Sequence, residues 1–328
     1  MLDILQITTP FFALIAAGYV SVQRGWIDVE AVRPLNSFVL FVALPCMLFK
    51  FSSGLSISTL WSDPFLLIYG GSGVLLLMVL MGVERWRGTS WREGAFVSLV
   101  GAFPNNGFIG VPLLALMMGT ASATPVVAMV MFDMVITSSL AVAASRLDGQ
   151  GWSQAAQALS KAVRGVFSNP MLWAILAGAA LAWSDQPLPL VVQTPLWMMA
   201  DAATPVALFT LGGILARSRI QGHAPLHGQQ TAHLVVAKLL IHPALVWVGM
   251  ATLSAMGVHV SPTSALAMLL VASLPSASNV TFLAERMGGD ATWVARIIMW
   301  TTVWSFFTFT AGSWWFQLQK LTGSTSIA

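Results

Sequence analysis

The sequence predicts an all-α membrane protein of about ten transmembrane helices, in two inverted five-helix repeats with broken, crossing helices 4 and 9. Three observations support this fold class. The 328 residues are 57% apolar and only 8% charged, whereas about a quarter of the residues in soluble domains are charged. Apolar segments recur at the length of a membrane span. The two halves of the chain also share motifs at a fixed spacing.

The apolar segments have the length that a bilayer requires. A helix needs about 20 largely apolar residues to cross the membrane. Segments of that kind occur at ten places: 4–22, 34–52, 64–83, 94–118, 124–145, 166–184, 195–216, 231–253, 262–284 and 296–316. The first follows only Asp3, without a basic stretch or a cleavage site, so we interpret it as a retained span and not as a signal peptide. The single cysteine, Cys46, excludes an internal disulfide and a multi-cysteine metal site.

The repeat appears as motifs that recur about 160 residues apart. At that offset, Thr9-Pro10 and Ala17-Gly18 return as Asn169-Pro170 and Ala177-Gly178, and Ala43-x-Pro45-x-x-Leu48-Phe49 returns as Ala203-x-Pro205-x-x-Leu208-Phe209. A third motif, Leu99-Val100-x-x-x-Pro104, returns at the larger offset of 171 as Leu270-Val271-x-x-x-Pro275. The alternative is that these motifs reflect unrelated proline-kinked helices. Their common order favours a duplication.

Basic residues indicate the orientation in the membrane. Twelve Lys and Arg residues fall in one alternating set of connections, only Lys50 and Lys320 fall in the other set, and Lys238 lies inside a span. Because cytoplasmic loops carry the excess of basic residues, both termini are expected outside. The net charge of +3 is thereby explained without a nucleic-acid partner. We predict a first repeat over 1–145, a cytoplasmic linker over 146–165 and a second repeat over 166–328.

An odd number of spans in each repeat inverts the second copy, an arrangement that many secondary transporters share. Such proteins bind their substrates at discontinuous helices near the bilayer midplane. The fourth span contains two prolines, Pro104 and Pro112, and the ninth contains Pro275, and proline breaks helices. At about 1.5 Å per residue, Pro104 and Pro275 both lie roughly 15 Å from the inner end of their spans.

Two broken helices that cross would bring helix N-termini and polar side chains together. Helix N-termini bind anions, and helix C-termini offer carbonyl groups to cations. The candidate substrate-binding residues are those at the two breaks: Pro104, Asn105, Asn106, Gly107, Pro275, Ser276, Ser278 and Asn279. The alternative is that the Asn and Ser side chains only join packed helices.

Ionisable residues inside the spans form a second candidate group. Asp133 lies in the fifth span, and Lys238 and His242 lie in the eighth. Such residues are costly in a membrane and are usually functional, so we predict that they take part in ion coupling. Lys238 has the alternative of extending its amine to the inner interface. The alternative for His242 is a hydrogen bond at the kink that Pro243 produces.

The motifs Phe103-Pro104-Asn105-Asn106-Gly107-Phe108-Ile109-Gly110-Val111-Pro112 and Leu274-Pro275-Ser276-Ala277-Ser278-Asn279 resemble those of the auxin efflux carrier family in its short bacterial form. The resemblance covers nearly the whole chain. It implies ten helices in two inverted repeats, a crossover of helices 4 and 9, and transport of organic anions such as auxin, malate or malonate. The long cytoplasmic loop of the plant carriers is absent, since 146–165 is short.

The resemblance implies an inner-membrane secondary transporter of mono- or dicarboxylates that works by alternating access. Helices 1, 2, 6 and 7 would form a scaffold around Pro45 and Pro205, through which a homodimer would assemble, and helices 3–5 and 8–10 would form the moving substrate domain. No cofactor and no metal are expected, and the coupling ion would be H⁺ or Na⁺.

Two other functions remain open at this stage. One is a sodium-coupled symporter of larger amphipathic anions, similar to the bile-acid symporters. The other is an intramembrane enzyme, although the sequence contains no His-Glu-x-x-His motif, no paired-carboxylate motif and no phosphate-binding loop.

The predicted topology is testable by labelling. A cysteine introduced at Gly149 in a Cys46→Ala background should react with a membrane-impermeant reagent from the cytoplasmic side, because the linker is predicted to lie there. Reaction from the periplasmic side alone would contradict the inverted repeat.

Overall fold

The apolar segments form α-helices in the computed structural model, which describes residues 2–55, 63–148, 169–184, 186–220 and 228–321, with positions 157, 160, 163–165 and 167. Within these ranges no β-strand occurs, and the one isolated bridge joins Pro104 and Ser276. The prediction of an all-α protein is therefore confirmed. Most of the predicted linker 146–165 lies outside the described residues.

Fifteen α-helices are present in the described part of the chain. They are α1 Leu2–Gln23, α2 Val32–Phe38, α3 Leu44–Ser52, α4 Phe65–Trp86, α5 Trp91–Ala102, α6 Val111–Met118, α7 Ala123–Phe132, α8 Ser138–Ala144, α9 Pro170–Ser184, α10 Leu190–Ile220, α11 Gly228–Val236, α12 His242–Ala255, α13 Pro262–Ala272, α14 Val280–Met287 and α15 Ala291–Leu321.

Among the described residues, five continuous helical segments are long and apolar enough to cross a membrane: Val29–Ser52, Phe65–Trp86, Ala123–Ala144, Leu190–Arg217 and Thr231–Ala255. Shorter apolar helices include Asn106–Met118 and Pro262–Ala272, which belong to the predicted fourth and ninth spans. The structure thus contains membrane-length helices, while the number of ten and the inverted repeat stay predictions.

Wide, π-helical turns interrupt several spans. They cover Val39–Ala43, Asn106–Gly110, Asp133–Thr137 and Ala237–Ile241. Three of them end two residues before a proline, namely Pro45, Pro112 and Pro243. A proline ring clashes with the carbonyl group four residues earlier and offers no N–H, so a wider turn relieves the clash. Turns of this kind often mark functional positions.

The chain divides into two compact units. Unit 1 comprises residues 1–62, 106–128 and 169–224. In this unit α1 packs against α10 so closely that a Cβ added to Gly18 would lie 1.9 Å from the carbonyl oxygen of Phe209. Likewise, a Cβ added to Gly178 of α9 would lie 2.5 Å from the carbonyl oxygen of Phe49 in α3. Small residues allow such backbone contact between membrane helices.

The two glycine contacts of unit 1 are reciprocal. Gly18 and Gly178 occupy equivalent positions of the sequence repeat, and so do Phe49 and Phe209. Each glycine therefore packs on the phenylalanine of the other copy.

Unit 2 comprises residues 63–105, 129–168 and 225–328. Carboxylates and hydroxyls organise its helix ends. Asp148 accepts hydrogen bonds from the backbone N–H groups of Trp91 and Arg92 at the start of α5, where free N–H groups would otherwise remain. Asp63 accepts from the hydroxyl of Ser261, whose own oxygen caps α13. Unit 2 also contains the candidate substrate-binding residues, except Asn106 and Gly107, and all three candidate ion-coupling residues.

Candidate functional site

Two helix breaks lie within unit 2. Helix α5 ends at Ala102, and the next helical residue is Asn106; α13 ends at Ala272, and α14 begins at Val280. The breaks occur at Pro104 and Pro275, as the sequence predicts for proline in the interior of a span. Between the helical parts the backbone is extended or irregular.

The two extended segments cross and pair with each other. The backbone N–H of Asn105 donates to the carbonyl oxygen of Pro275 at 2.8 Å, and the N–H of Ala277 donates to the carbonyl oxygen of Phe103 at 3.0 Å. These bonds form the antiparallel bridge between Pro104 and Ser276. Because lipid offers no hydrogen bonds, irregular backbone at this depth must find partners within the protein. Each break supplies partners for the other.

Ser276 replaces the hydrogen-bond donor that Pro104 lacks. In a continuous helix the carbonyl oxygen of Val100 would accept from the N–H of residue 104, but proline has no N–H. The Ser276 hydroxyl donates to this carbonyl oxygen at 2.7 Å, and the N–H of Ser276 donates to Thr301 Oγ1 at 3.2 Å. Ser276 therefore has a structural role in the crossing.

The remaining polar side chains at the crossing differ in exposure. Asn105 and Ser278 are buried, whereas Asn279 is exposed just before α14. The Ser278 hydroxyl is buried and forms no hydrogen bond with any described residue. The N–H groups of Val280 and Thr281, at the start of α14, form only long bonds of 3.4 Å. This end of unit 2 thus combines weakly bonded N–H donors with two amides and a hydroxyl.

Asn106 and Gly107 belong to unit 1, because the division of the chain falls between residues 105 and 106. Asn106 begins the π-helical turn that leads into α6 and is buried, and Gly107 is half-buried. Their part in a site stays a prediction.

A buried carboxylate lies elsewhere in unit 2. Asp133 is 4% exposed, accepts a hydrogen bond from the hydroxyl of Tyr69 in α4, and accepts another from Thr137 Oγ1 at 3.2 Å. The hydroxyl of Ser138 donates to the Asp133 carbonyl oxygen. The side chain is therefore held by hydroxyl groups from its own turn and from α4.

Lys238 is fully buried, with 0% of its surface exposed, so it does not extend to the membrane interface. Its Nζ donates to the carbonyl oxygen of Ala272 at 2.6 Å and lies 3.3 Å from His242 Nδ1. Because an ammonium group only donates, Nδ1 of His242 is the acceptor in this contact. The negative charge of Asp133 favours the charged form of this amine. The rings of Tyr69 and His242 lie 6.1 Å apart between centroids and are tilted by 42°.

Sequence reasoning missed three residues of these groups: Tyr69, Thr137 and Thr301. Tyr69 is one of only two tyrosines in the chain and lies within an apolar span, which was an available signal. The threonines carried none, because threonine is common in such helices. In unit 1, Pro45 is buried and Pro205 is exposed, and their scaffold role stays a prediction. Also in unit 1, Asp201 pairs with Lys50 at 2.6 Å.

Comparisons with known proteins agree with a transport function. The family model described as "Membrane transport protein" matches residues 4–311. The chain is 28% identical to a "Putative malonate transporter" of Rhizobium meliloti (strain 1021), over 94% of this chain and 95% of that protein. It is 24% identical to the "Uncharacterized transporter YfdV" of Escherichia coli (strain K12), over 84% of this chain and 86% of that protein. An "Uncharacterized transporter" of Methanothermobacter thermautotrophicus is 27% identical, over 89% and 91% of the two chains.

The two serines of the second break should respond differently to substitution. Ser276→Ala leaves the Val100 carbonyl oxygen without its donor, which should lower the free energy of unfolding by about 1–3 kcal/mol. Ser278→Ala removes a hydroxyl that has no hydrogen-bond partner among the described residues, so its melting temperature in detergent should match that of the parent. Equal melting temperatures for both variants would contradict the structural role of Ser276.

Proposed function

Because this chain belongs to the membrane transport protein family, which is the auxin efflux carrier family that its motifs indicate, we propose that it is a secondary transporter of small organic anions. The substrates are mono- or dicarboxylates, carried across the inner membrane by alternating access. The observation that carries this proposal is the paired crossing of two broken helices in unit 2, at Pro104 and Pro275.

The chemistry at the crossing suits a carboxylate. A carboxylate only accepts hydrogen bonds, and the crossing offers donors from Asn105, Asn279, Ser278 and the first N–H groups of α14. The positive end of the α14 dipole also favours an anion. We propose that Asn105, Ser278 and Asn279 hold the substrate carboxylate. Asn106 and Gly107 join them in the sequence-based prediction of the site.

The names of the relatives indicate which substrates to test first. The relative from Rhizobium meliloti is named for malonate, a small dicarboxylate. We therefore place malonate first among the substrates to test, followed by malate and by monocarboxylates that include auxin. The names of the other two relatives mention transport but no substrate.

The division into two units supports an alternating-access mechanism. The segments predicted as helices 1, 2 and 7 and nearly all of helix 6 fall in unit 1, and both breaks at Pro104 and Pro275 fall in unit 2. Unit 1 also contains residues 106–128, which belong to predicted helices 4 and 5 and the connection between them. We propose that unit 2 carries the substrate while helices of unit 1 serve as the scaffold. In this proposal a homodimer forms through the scaffold helices.

An intramembrane enzyme is less well supported. The Ser276 hydroxyl is occupied by a backbone carbonyl oxygen, and the Ser278 hydroxyl has no base within hydrogen-bond distance among the described residues. A serine nucleophile needs an adjacent general base. Neither serine has the geometry that such catalysis requires.

Asp133 is the proposed proton carrier. Burial disfavours the charged form of a carboxylate, while the hydroxyls of Tyr69 and Thr137 and the attraction of Lys238 stabilise it. We propose that the Asp133 carboxyl group binds and releases the coupling proton during the transport cycle. Intramembrane carboxylates in transporters commonly form proton relays.

The substrate site is testable by uptake into proteoliposomes across a panel of carboxylates. Asn105→Ala and Ser278→Ala should each weaken malonate binding by about tenfold to a hundredfold, since a hydrogen bond to a charged group is worth about 1.5–3 kcal/mol. Calorimetry on the purified protein measures the affinity separately from turnover.

Ser98→Ala is the matched control for this prediction. Ser98 lies on α5, is buried, and has no hydrogen-bond partner for its hydroxyl among the described residues, but it precedes the break. Its substitution should leave the affinity unchanged. Unchanged affinity in both Asn105→Ala and Ser278→Ala would exclude the proposed site.

Asp133→Asn tests the coupling. The amide nearly matches the carboxylate in shape and cannot carry a proton, so uptake should lose its dependence on an imposed pH gradient while substrate exchange continues. Uptake is measured with pH and sodium gradients imposed separately. If the variant and the parent respond alike to a pH gradient, Asp133 has only a structural role.

A further inference from the structure

At the C-terminal end of α13, a backbone carbonyl group accepts a hydrogen bond from a lysine side chain. In a continuous helix the carbonyl oxygen of Ala272 would accept from the N–H of residue 276. The N–H of Ser276 instead donates to Thr301 Oγ1. The carbonyl oxygen of Ala272 is therefore open to another donor, and Lys238 Nζ binds it at 2.6 Å.

The contact lies at a helix C-terminus, a position that favours cations. The carbonyl end of a helix carries the negative end of its dipole and attracts cations. Transporters with discontinuous helices bind their coupling cations, such as Na⁺, at carbonyl groups of this kind. Here the cation at the end of α13 is the ammonium group of Lys238. This residue lies in the turn Ala237–Ile241, which joins α11 and α12.

We propose that the Lys238 ammonium group is a built-in cation, which takes at the end of α13 the place that a sodium ion takes in sodium-coupled carriers. This inference rests on the proposed function and adds to it that carboxylate uptake needs no sodium. The ammonium group holds the end of α13 in position without an ion from solution.

The hydrogen-bond partners of Lys238 fit a cation better than a passive packing role. The side chain is fully buried, and an uncompensated charge at this depth is costly. His242 Nδ1 accepts a second hydrogen bond, and Asp133 supplies an opposite charge. The carbonyl oxygen of Ala272 and the imidazole of His242 thus contact the amine directly, and the Asp133 carboxylate acts on it only through its charge. An apolar residue of the same length would serve a packing role equally well without these partners.

The first experiment compares malonate uptake by the parent protein in sodium chloride and in choline chloride. Equal initial rates in the two salts are expected, because the cation position is already filled. A requirement for sodium would overturn the proposal and would favour the sodium-coupled alternative.

The second experiment removes the amine. Lys238→Ala and Lys238→Met should both reduce uptake by at least about tenfold, as expected for the loss of a charge-assisted hydrogen bond. Lys238→Met keeps most of the length of the side chain without its charge and so separates charge from packing. Uptake by Lys238→Met at the rate of the parent would overturn the proposal.

The third experiment restores the cation and needs no substrate. Propylammonium supplies the atoms that Lys238→Ala removes, so it should raise the melting temperature of the purified variant, while tetramethylammonium, which has no N–H donor, should not. Lys50→Ala is the matched control, because Lys50 lies near the end of α3, is partly exposed and pairs with Asp201. Its melting temperature should not respond to propylammonium.

The outcomes separate this inference from the proposed function. If the parent transports no carboxylate of the panel, the proposed function fails, while stabilisation of Lys238→Ala by propylammonium still supports the built-in cation. If propylammonium has no specific effect on Lys238→Ala, the built-in cation is excluded even where uptake is observed. Should Lys238→Ala not fold, Lys238→Met and the sodium comparison decide.

Discussion

Two prolines, Pro104 and Pro275, have no backbone N–H group, and the polar contacts of unit 2 depend on this constraint. In a membrane a backbone carbonyl without a donor is costly, so every bond that Pro104 and Pro275 prevent must be replaced. The Ser276 hydroxyl replaces the donor for Val100, and the two extended segments bind each other. A helix break that would be unstable alone is stable as one of a crossing pair.

The ionisable residues also replace backbone hydrogen bonds that the breaks remove. Once the N–H of Ser276 turns to Thr301, the end of α13 requires a new donor, and Lys238 provides it. A buried ammonium group in turn requires acceptors and an opposite charge, which His242 and Asp133 supply. The second helix break and Lys238 therefore meet at the same place, the C-terminal end of α13.

Unit 1 follows a different rule, because its helices meet through small residues. Gly18 packs on the backbone of Phe209 and Gly178 on that of Phe49, two contacts related by the sequence repeat. Lipid provides little hydrophobic driving force between helices, so close backbone contact stabilises their packing. A tightly packed unit without buried charges at these contacts suits a rigid scaffold, and a unit with a polar crossing suits the part that binds an anion.

The sequence by itself determined the membrane class, the helical fold and the positions of both breaks, because hydropathy and proline act through local physics. It also identified Asp133 and Lys238, since an ionisable residue in an apolar segment is visible without a structure. Only the tertiary structure decided what each polar group binds: Ser276 a carbonyl group, Tyr69 the Asp133 carboxylate, and Lys238 the end of α13. Those partners are far apart in the chain, and their choice depends on which donors and acceptors the distant helices leave without partners once they pack.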